Sequence, residues 1–361
     1  MSALSTPGTA TPAAYRGRGR GGARRTDLVW LTWRQHRPVI VTGLAVAGVV
    51  TGSMLYVAAR IATINQECKN TACPPGSAQA ASLKGIFGLY NLSAYLTLIV
   101  MFLPLLVGVF LGAPLLAREH EQRTLLLAWS QDITPQRWLW TKFTLLGVLT
   151  AAAAAAVSAA AGHLARMVSI ATGKSLFSLF SGAGFLVTGM LPLAVQTVAW
   201  LAVGVALGAA YRRTLPAIFT ALTGYIAVLF LALWQYPSLM TPLTARVPFT
   251  GYQDFTSRLG ANILVLNTSR LSANIRGTDT IYDASGHATN LAAVQSLCPG
   301  HSGSLDPQCL AQHHFIEALR YQPGSRIPDF HLILACDYFA LGAIAVAVVW
   351  WLVRRTSLSA G

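Results

Sequence analysis

Apolar runs about as long as a membrane-crossing helix recur along the chain, separated by polar or charged stretches. They extend from Val39 to Tyr56, Tyr90 to Leu116, Phe143 to Leu164, Phe185 to Ala210, Leu215 to Trp234 and Leu332 to Val353. A bilayer core takes about 20 apolar residues per helix, so each run can span it. A membrane β-barrel would show alternating segments of about ten residues, and none are present; helices also satisfy their own backbone groups in lipid. The pattern predicts an all-α polytopic membrane protein with six spans.

The polar stretches suggest four regions. Residues 1–25, rich in Gly, Pro, Ser, Thr and Arg and lacking the apolar core of a signal peptide, read as a disordered basic tail. Residues 26–236 hold an interfacial helix and spans one to five, 237–330 a large outer loop domain, and 331–361 span six with a second tail. Thr26 and Asp27 offer capping oxygens to a helix running to Arg37, and Trp30, Trp33 and the basic end suit a membrane interface. The alternative is that this stretch forms the first turns of a longer span. In the outer loop, Asn262 to Leu266 and Phe315 to Leu319 are apolar patches among Gly, Ser and Asn turns.

Composition agrees with a membrane protein: 54% of the 361 residues are hydrophobic and only 11% charged, against roughly 25% charged in soluble domains. The net charge of +14 is sorted by side. Arg34 and Arg37 precede span one, Arg118, Arg123, Arg137 and Lys142 lie between spans two and three, Arg212 and Arg213 follow span four, and Arg354 and Arg355 close span six. The positive-inside rule makes that side cytoplasmic, with both termini inside a bacterial cell membrane. The RGRGRGG run resembles an RNA-binding tail, but a basic tail beside anionic lipid fits a membrane protein better, so no nucleic-acid partner is expected.

Four of the cysteines fall in predicted outer loops: Cys68 and Cys73, then Cys298 and Cys309. Disulfides persist outside the cytoplasm, and of the three pairings the two between near neighbours are favoured. His301, His313 and His314 lie near the second pair, but the spacing fits no usual zinc pattern and no metal site is expected. Within the spans, Gly48 with Gly52, Gly108 with Gly112 and Gly204 with Gly208 are GxxxG pairs that allow close helix contact. Asp337, His163 and Gln196 are the candidates for an intramembrane polar site.

The stretch Gly112 to Lys142 carries the densest chemistry. Span two ends at Pro114 to Ala117 and a charged turn follows, Arg118 to Arg123; a short apolar patch, Leu125 to Trp129, comes next, and Thr134 with Pro135 signals a new helix start. The patch is too short to cross a bilayer and suits lipid or a groove on a partner. Glu119, Glu121, Arg123, Thr124, Leu125 to Leu127 and Thr134 to Trp138 resemble the loop between spans two and three of ABC type 2 exporter permeases, although Arg123 stands where that family often has glycine; the resemblance makes Glu119, Glu121, Arg123, Thr124, Leu126, Trp129 and Arg137 the expected coupling residues. The TWRQHR run, Thr32 to Arg37, is similar to actinobacterial members in particular. The resemblance implies a homodimer or heterodimer of permeases and a separate ABC ATPase, on which this loop docks as a coupling helix.

The chain offers no ATP site of its own. Gly173, Lys174 and Ser175 end a P-loop string, but Val168 stands where its first glycine belongs. His120 and Glu121 begin an HExxH zinc motif that fails at Thr124, and no G-x-S-x-G elbow occurs, so the chain is not expected to be an enzyme. No cofactor is expected on it, with ATP and Mg on the partner subunit. The expected function is a permease subunit moving an amphipathic or lipid-like substrate outward. The alternative is a polytopic sensor or immunity protein that binds a ligand through its outer loop. On the first reading, replacing Glu119 and Glu121 by Ala uncouples ATPase from transport and leaves the bundle folded.

Overall fold

The computed structural model describes residues 25–71, 78–121, 135–172, 182–235, 239–248, 264–267, 281–289, 291–300 and 306–358. Among the described residues, six helical spans are long and apolar enough to cross a membrane. Span one is α1 (Arg25–Thr71), and span two is built from α2 (Ala78–Met101), α3 (Leu103–Val107) and α4 (Ala113–Glu121). Span three is α5 (Pro135–Thr172), span four joins α6 (Gly182–Thr188) to α7 (Met190–Tyr211), and span five is α8 (Thr214–Gln235). Large apolar side chains such as Val49, Phe110, Val148, Phe219 and Phe230 are exposed on the outside of the bundle, as a multi-pass membrane protein requires.

Three expectations about these helices change. Thr26 to Arg37 is not a separate interfacial helix: it forms the first turns of α1, which runs unbroken through Pro38. Proline costs one helix hydrogen bond, and both Pro38 and Arg34, whose carbonyl loses it, are exposed at the basic end. Span two does not stop at Pro114 to Ala117; its helix continues through Arg118 to Glu121. Span four is broken at Gly189, because Pro192 would clash with the Thr188 carbonyl in a continuous helix.

Breaks inside a membrane leave backbone groups that other side chains must satisfy. Ser158 of α5, fully buried, donates to the Val187 carbonyl at 2.6 Å. His331 stacks on Phe185 with its Nε2 3.2 Å from the Phe185 carbonyl, which makes Nε2 the protonated nitrogen. Span two bends at Phe102 before Pro104 and passes through a π-helical turn, Gly108–Gly112. At that bend the Tyr225 hydroxyl of α8 donates to the Met101 carbonyl.

Helix α7 is the hub of the bundle, packed by α3, α4, α5 and α8. Its approach to span two is closer than side chains permit. A Cβ on Gly204 would lie 2.2 Å from the Gly108 carbonyl oxygen and 2.9 Å from the Gly112 Cα, and one on Gly208 would lie 2.4 Å from the Ala113 carbonyl oxygen. Two of the GxxxG pairs therefore face each other, as small-residue packing in lipid demands. Gly48 and Gly52 differ, since a Cβ on either would meet nothing within 4 Å.

The outer segment is not a plain loop. It holds β1 (Leu243–Pro248), β2 (Leu264–Asn267), β3 (Ile281–Tyr282) and β4 (Ala288–Thr289), then α9 (Leu291–Leu297), α10 (Pro307–Gln312) and β5 (Ile316–Gln322). All strand pairs are antiparallel, and β5 pairs with β1, β2 and β3. Asp283 turns the β3–β4 hairpin by accepting the N–H groups of Ser285 and His287, and the Ser285 hydroxyl bond leads in holding its carboxyl below the usual value. A small core of Ile281, Val294, Leu310 and Phe315 surrounds the Cys298–Cys309 disulfide. Gln322 donates to the Met240 carbonyl at 2.7 Å, and Arg326 donates to both the Thr241 carbonyl and Gln322, so the two ends of the domain are tied together where it meets α11 (Ile327–Leu358), which is span six and also packs on α7.

Two outcomes follow from this packing. Gly204→Ala destabilises the bundle by about 1–3 kcal/mol through overpacking against backbone, while Gly48→Ala is neutral or stabilising; melting curves in detergent compare them. Cys298→Ser loses the constraint on an 11-residue separation, about 3 kcal/mol for the outer domain. Limited proteolysis then cuts within 237–330 first and leaves the spans intact.

Candidate coupling site

The end of α4 is held on two sides by two carboxylates two residues apart. On one side Glu119 points into the bundle and its Oε1 accepts from the Lys142 ammonium of α5 at 2.7 Å. The Lys142 side chain is 1% exposed and that of Glu119 11%. Lys142 Nζ also stands 3.7 Å from the ring centre of Trp138, one turn earlier on α5, where a desolvated cation gains from the ring quadrupole. His36 of α1 lies half-buried close enough for the Lys142 charge to act on it, so three spans meet at this pair.

On the other side Glu121 is exposed and reaches across to α8. It accepts the Thr214 N–H at 2.8 Å and the Thr214 hydroxyl at 3.0 Å. Thr214 is the first residue of α8, so the Glu121 carboxylate occupies the anion-favouring N-terminus of span five. Just before it, Arg212 ends α7 in the left-handed conformation at φ 53°, its N–H bonded to the Gly208 carbonyl at 3.0 Å. That turn is what brings the start of α8 against the end of α4.

Of the other residues predicted for this loop, Arg137 lies exposed in the first turn of α5. Arg123, Thr124, Leu126 and Trp129 fall outside the described residues. The new helix starts at Pro135, the position its Thr-Pro signal indicated. Sequence reasoning took Lys142 only as the last charge before span three and missed its partnership with Glu119 and Trp138. The signal was present: each residue sits just beyond the end of an apolar run that then turns back, which puts both at one depth.

The other predicted sites separate. Cys298 and Cys309 are bonded to each other, and His313 brings a ring nitrogen within 4.8 Å of the two sulfurs; bonded sulfurs are not thiolates and do not form a metal-ligand set. Cys73 and the side chain of Cys68 lie outside what is described. Gln196 is buried in α7, Asp337 is exposed on α11 and His163 is half-buried in α5, and among the described residues no hydrogen bond or ion pair joins them.

The buried pair changes the expectation for the acidic variants. Glu119→Ala leaves the Lys142 ammonium buried without a partner, a loss of about 3–5 kcal/mol, so it weakens the bundle itself. The double variant Glu119→Leu with Lys142→Met removes both charges and stays close to the parent. Thermal melts of the single and double variants give the comparison, and equal melting of Glu119→Ala and parent would count against the pair.

Residues 238–327, the outer segment, match a domain of unknown function (DUF8319). No curated protein and no solved structure matches the chain. Residues 40–235, from just past Pro38 in span one to the end of span five, match the family described as ABC-2 membrane transporter related. That match takes in more than half of the 361 residues and includes both anchors of α4. The chain therefore belongs to the ABC-2 membrane transporter related family.

Proposed function

We propose that this protein is the permease subunit of an ABC exporter, in which a separate ATPase, carrying ATP and Mg, drives an amphipathic or lipid-like substrate outward. The ATPase docks at the basic end, on the segment between Glu121 and Pro135, and two permeases, identical or related, form the working pair. The basic end faces the cytoplasm of a bacterial cell. The carrying observation is the double anchorage of α4: Glu119 to span three through Lys142, and Glu121 to span five through Thr214. A load on the segment that follows Glu121 is thereby delivered to two further spans through charge-assisted hydrogen bonds, which are stronger than neutral ones.

Co-purification with ATPases encoded beside the chain tests the reading. The expected result is a retained ATPase whose hydrolysis rate changes when the complex is placed in vesicles. Glu121→Ala, which removes an exposed anchor, keeps the ATPase bound and the bundle folded but lowers transport per ATP hydrolysed. Failure to retain any ATPase, with a ligand bound instead by residues 237–330, would replace this reading by the sensor.

A further inference from the structure

A cavity of about 520 Å³ opens between span one, span two and span three, with Thr197 of span four also in its wall, within the range of roughly 300–1,000 Å³ typical of small-molecule sites. Its walls are apolar, with Val39, Gly43 and Val50 from α1, Leu106 and Phe110 from span two, and Ala153 from α5. Of its three threonines, Thr150 and Thr197 donate to the carbonyls of Leu146 and Leu193 of their own helices, which uses their hydroxyl hydrogens and leaves them only acceptor capacity. The cavity runs along α1 from Pro38 to Val50, about 18 Å at 1.5 Å per residue. A long apolar slot of this volume takes an extended aliphatic chain.

The mouth of the slot is charged. Pro38 lines it, and the preceding residue Arg37 is exposed, as is Arg34 one turn earlier, stacked 5.3 Å from the Trp30 ring centre. The nearby cation Lys142 is paired with Glu119, whereas among the described residues neither Arg34 nor Arg37 forms an ion pair. We infer that this slot binds the aliphatic chain of an anionic amphiphile, with its head group at Arg34 and Arg37. The inference rests on the transport reading for its purpose, since it names a substrate class and its place, but binding is measurable without any ATPase.

Gly43 and Gly48 make a matched pair for the test. A Cβ on either meets nothing within 4 Å, yet only Gly43 lines the slot. The full chain is placed in vesicles containing phosphatidylglycerol or phosphatidylcholine with a photoactivatable diazirine in one acyl chain, and labelled peptides are counted. Phosphatidylglycerol is expected to label the α1 and α5 walls; Gly43→Phe lowers that labelling about tenfold by filling the slot, and Gly48→Phe leaves it unchanged. Arg34→Gln with Arg37→Gln is expected to erase the preference for phosphatidylglycerol over phosphatidylcholine. Equal labelling of the two phenylalanine variants, or cross-linking between Gly43→Cys copies in place of lipid labelling, overturns the inference. A chain that fails this test and still couples to an ATPase loses only the slot, and one that binds lipid without an ATPase loses only the transport reading.

Discussion

Span four can lie at the centre of the bundle only because Gly204 and Gly208 have no side chains to keep span two away. In lipid the tails surrounding a helix are as apolar as its side chains, so burial gives little drive for association and close packing must supply it. Backbone meets backbone here, with the Gly108 and Ala113 carbonyls lying where a Cβ on Gly204 or Gly208 would stand. The approach also explains why span two can carry a π-helical turn at Gly108–Gly112: irregular backbone at membrane depth persists where protein encloses it. The remaining spans arrange themselves about this contact, with α5 and α11 on other faces of α7 and α1 lying mainly against α5.

The two irregular spans also have carbonyls beside their breaks bonded by distant helices. Met101 accepts from Tyr225, Phe185 from His331 and Val187 from Ser158, contacts made 124, 146 and 29 residues away in sequence. Each bond joins a break in one span to a regular stretch of another, so a break is held at a defined angle and does not act as a free joint. Movement of span two therefore carries a cost in span five, which holds its bend through Tyr225, besides the cost at Thr214.

What could be read from the residues follows from the range of the forces concerned. The six spans are local, twenty-residue properties, and they stand where the apolar runs place them. The break at Gly189 was written in Pro192 but hidden by the apolar residues on both sides, and its stabilising partner His331 lies in another span. The outer sheet showed only in part: the patches Asn262 to Leu266 and Phe315 to Leu319 overlap β2 and β5 and Leu243 to Val247 alternates along β1, but β3 and β4 are two residues long and too short to leave a pattern. Cys298 and Cys309, by contrast, were close enough in sequence for their pairing to be favoured beforehand. Glu119 was recognised as a loop acid of the family's kind, yet its burial depends on Lys142, 23 residues on and across the returning segment.

The spacing of the two acids explains how one short helix serves both anchors. Residues two apart on an α-helix are separated by about 200° around its axis and cannot face the same neighbour. With α4 continuing to Glu121, Glu119 turns inward to Lys142 and Glu121 turns outward to the start of α8. Had the helix ended at Ala117, as the apolar run alone suggests, the acids would lie in a turn and nothing would fix them on opposite sides. Under the proposed reading, the four extra residues convert a docking loop into a lever with two attachments. The buried attachment is strong and structural, and the exposed one is the place where coupling can be altered without loosening the bundle.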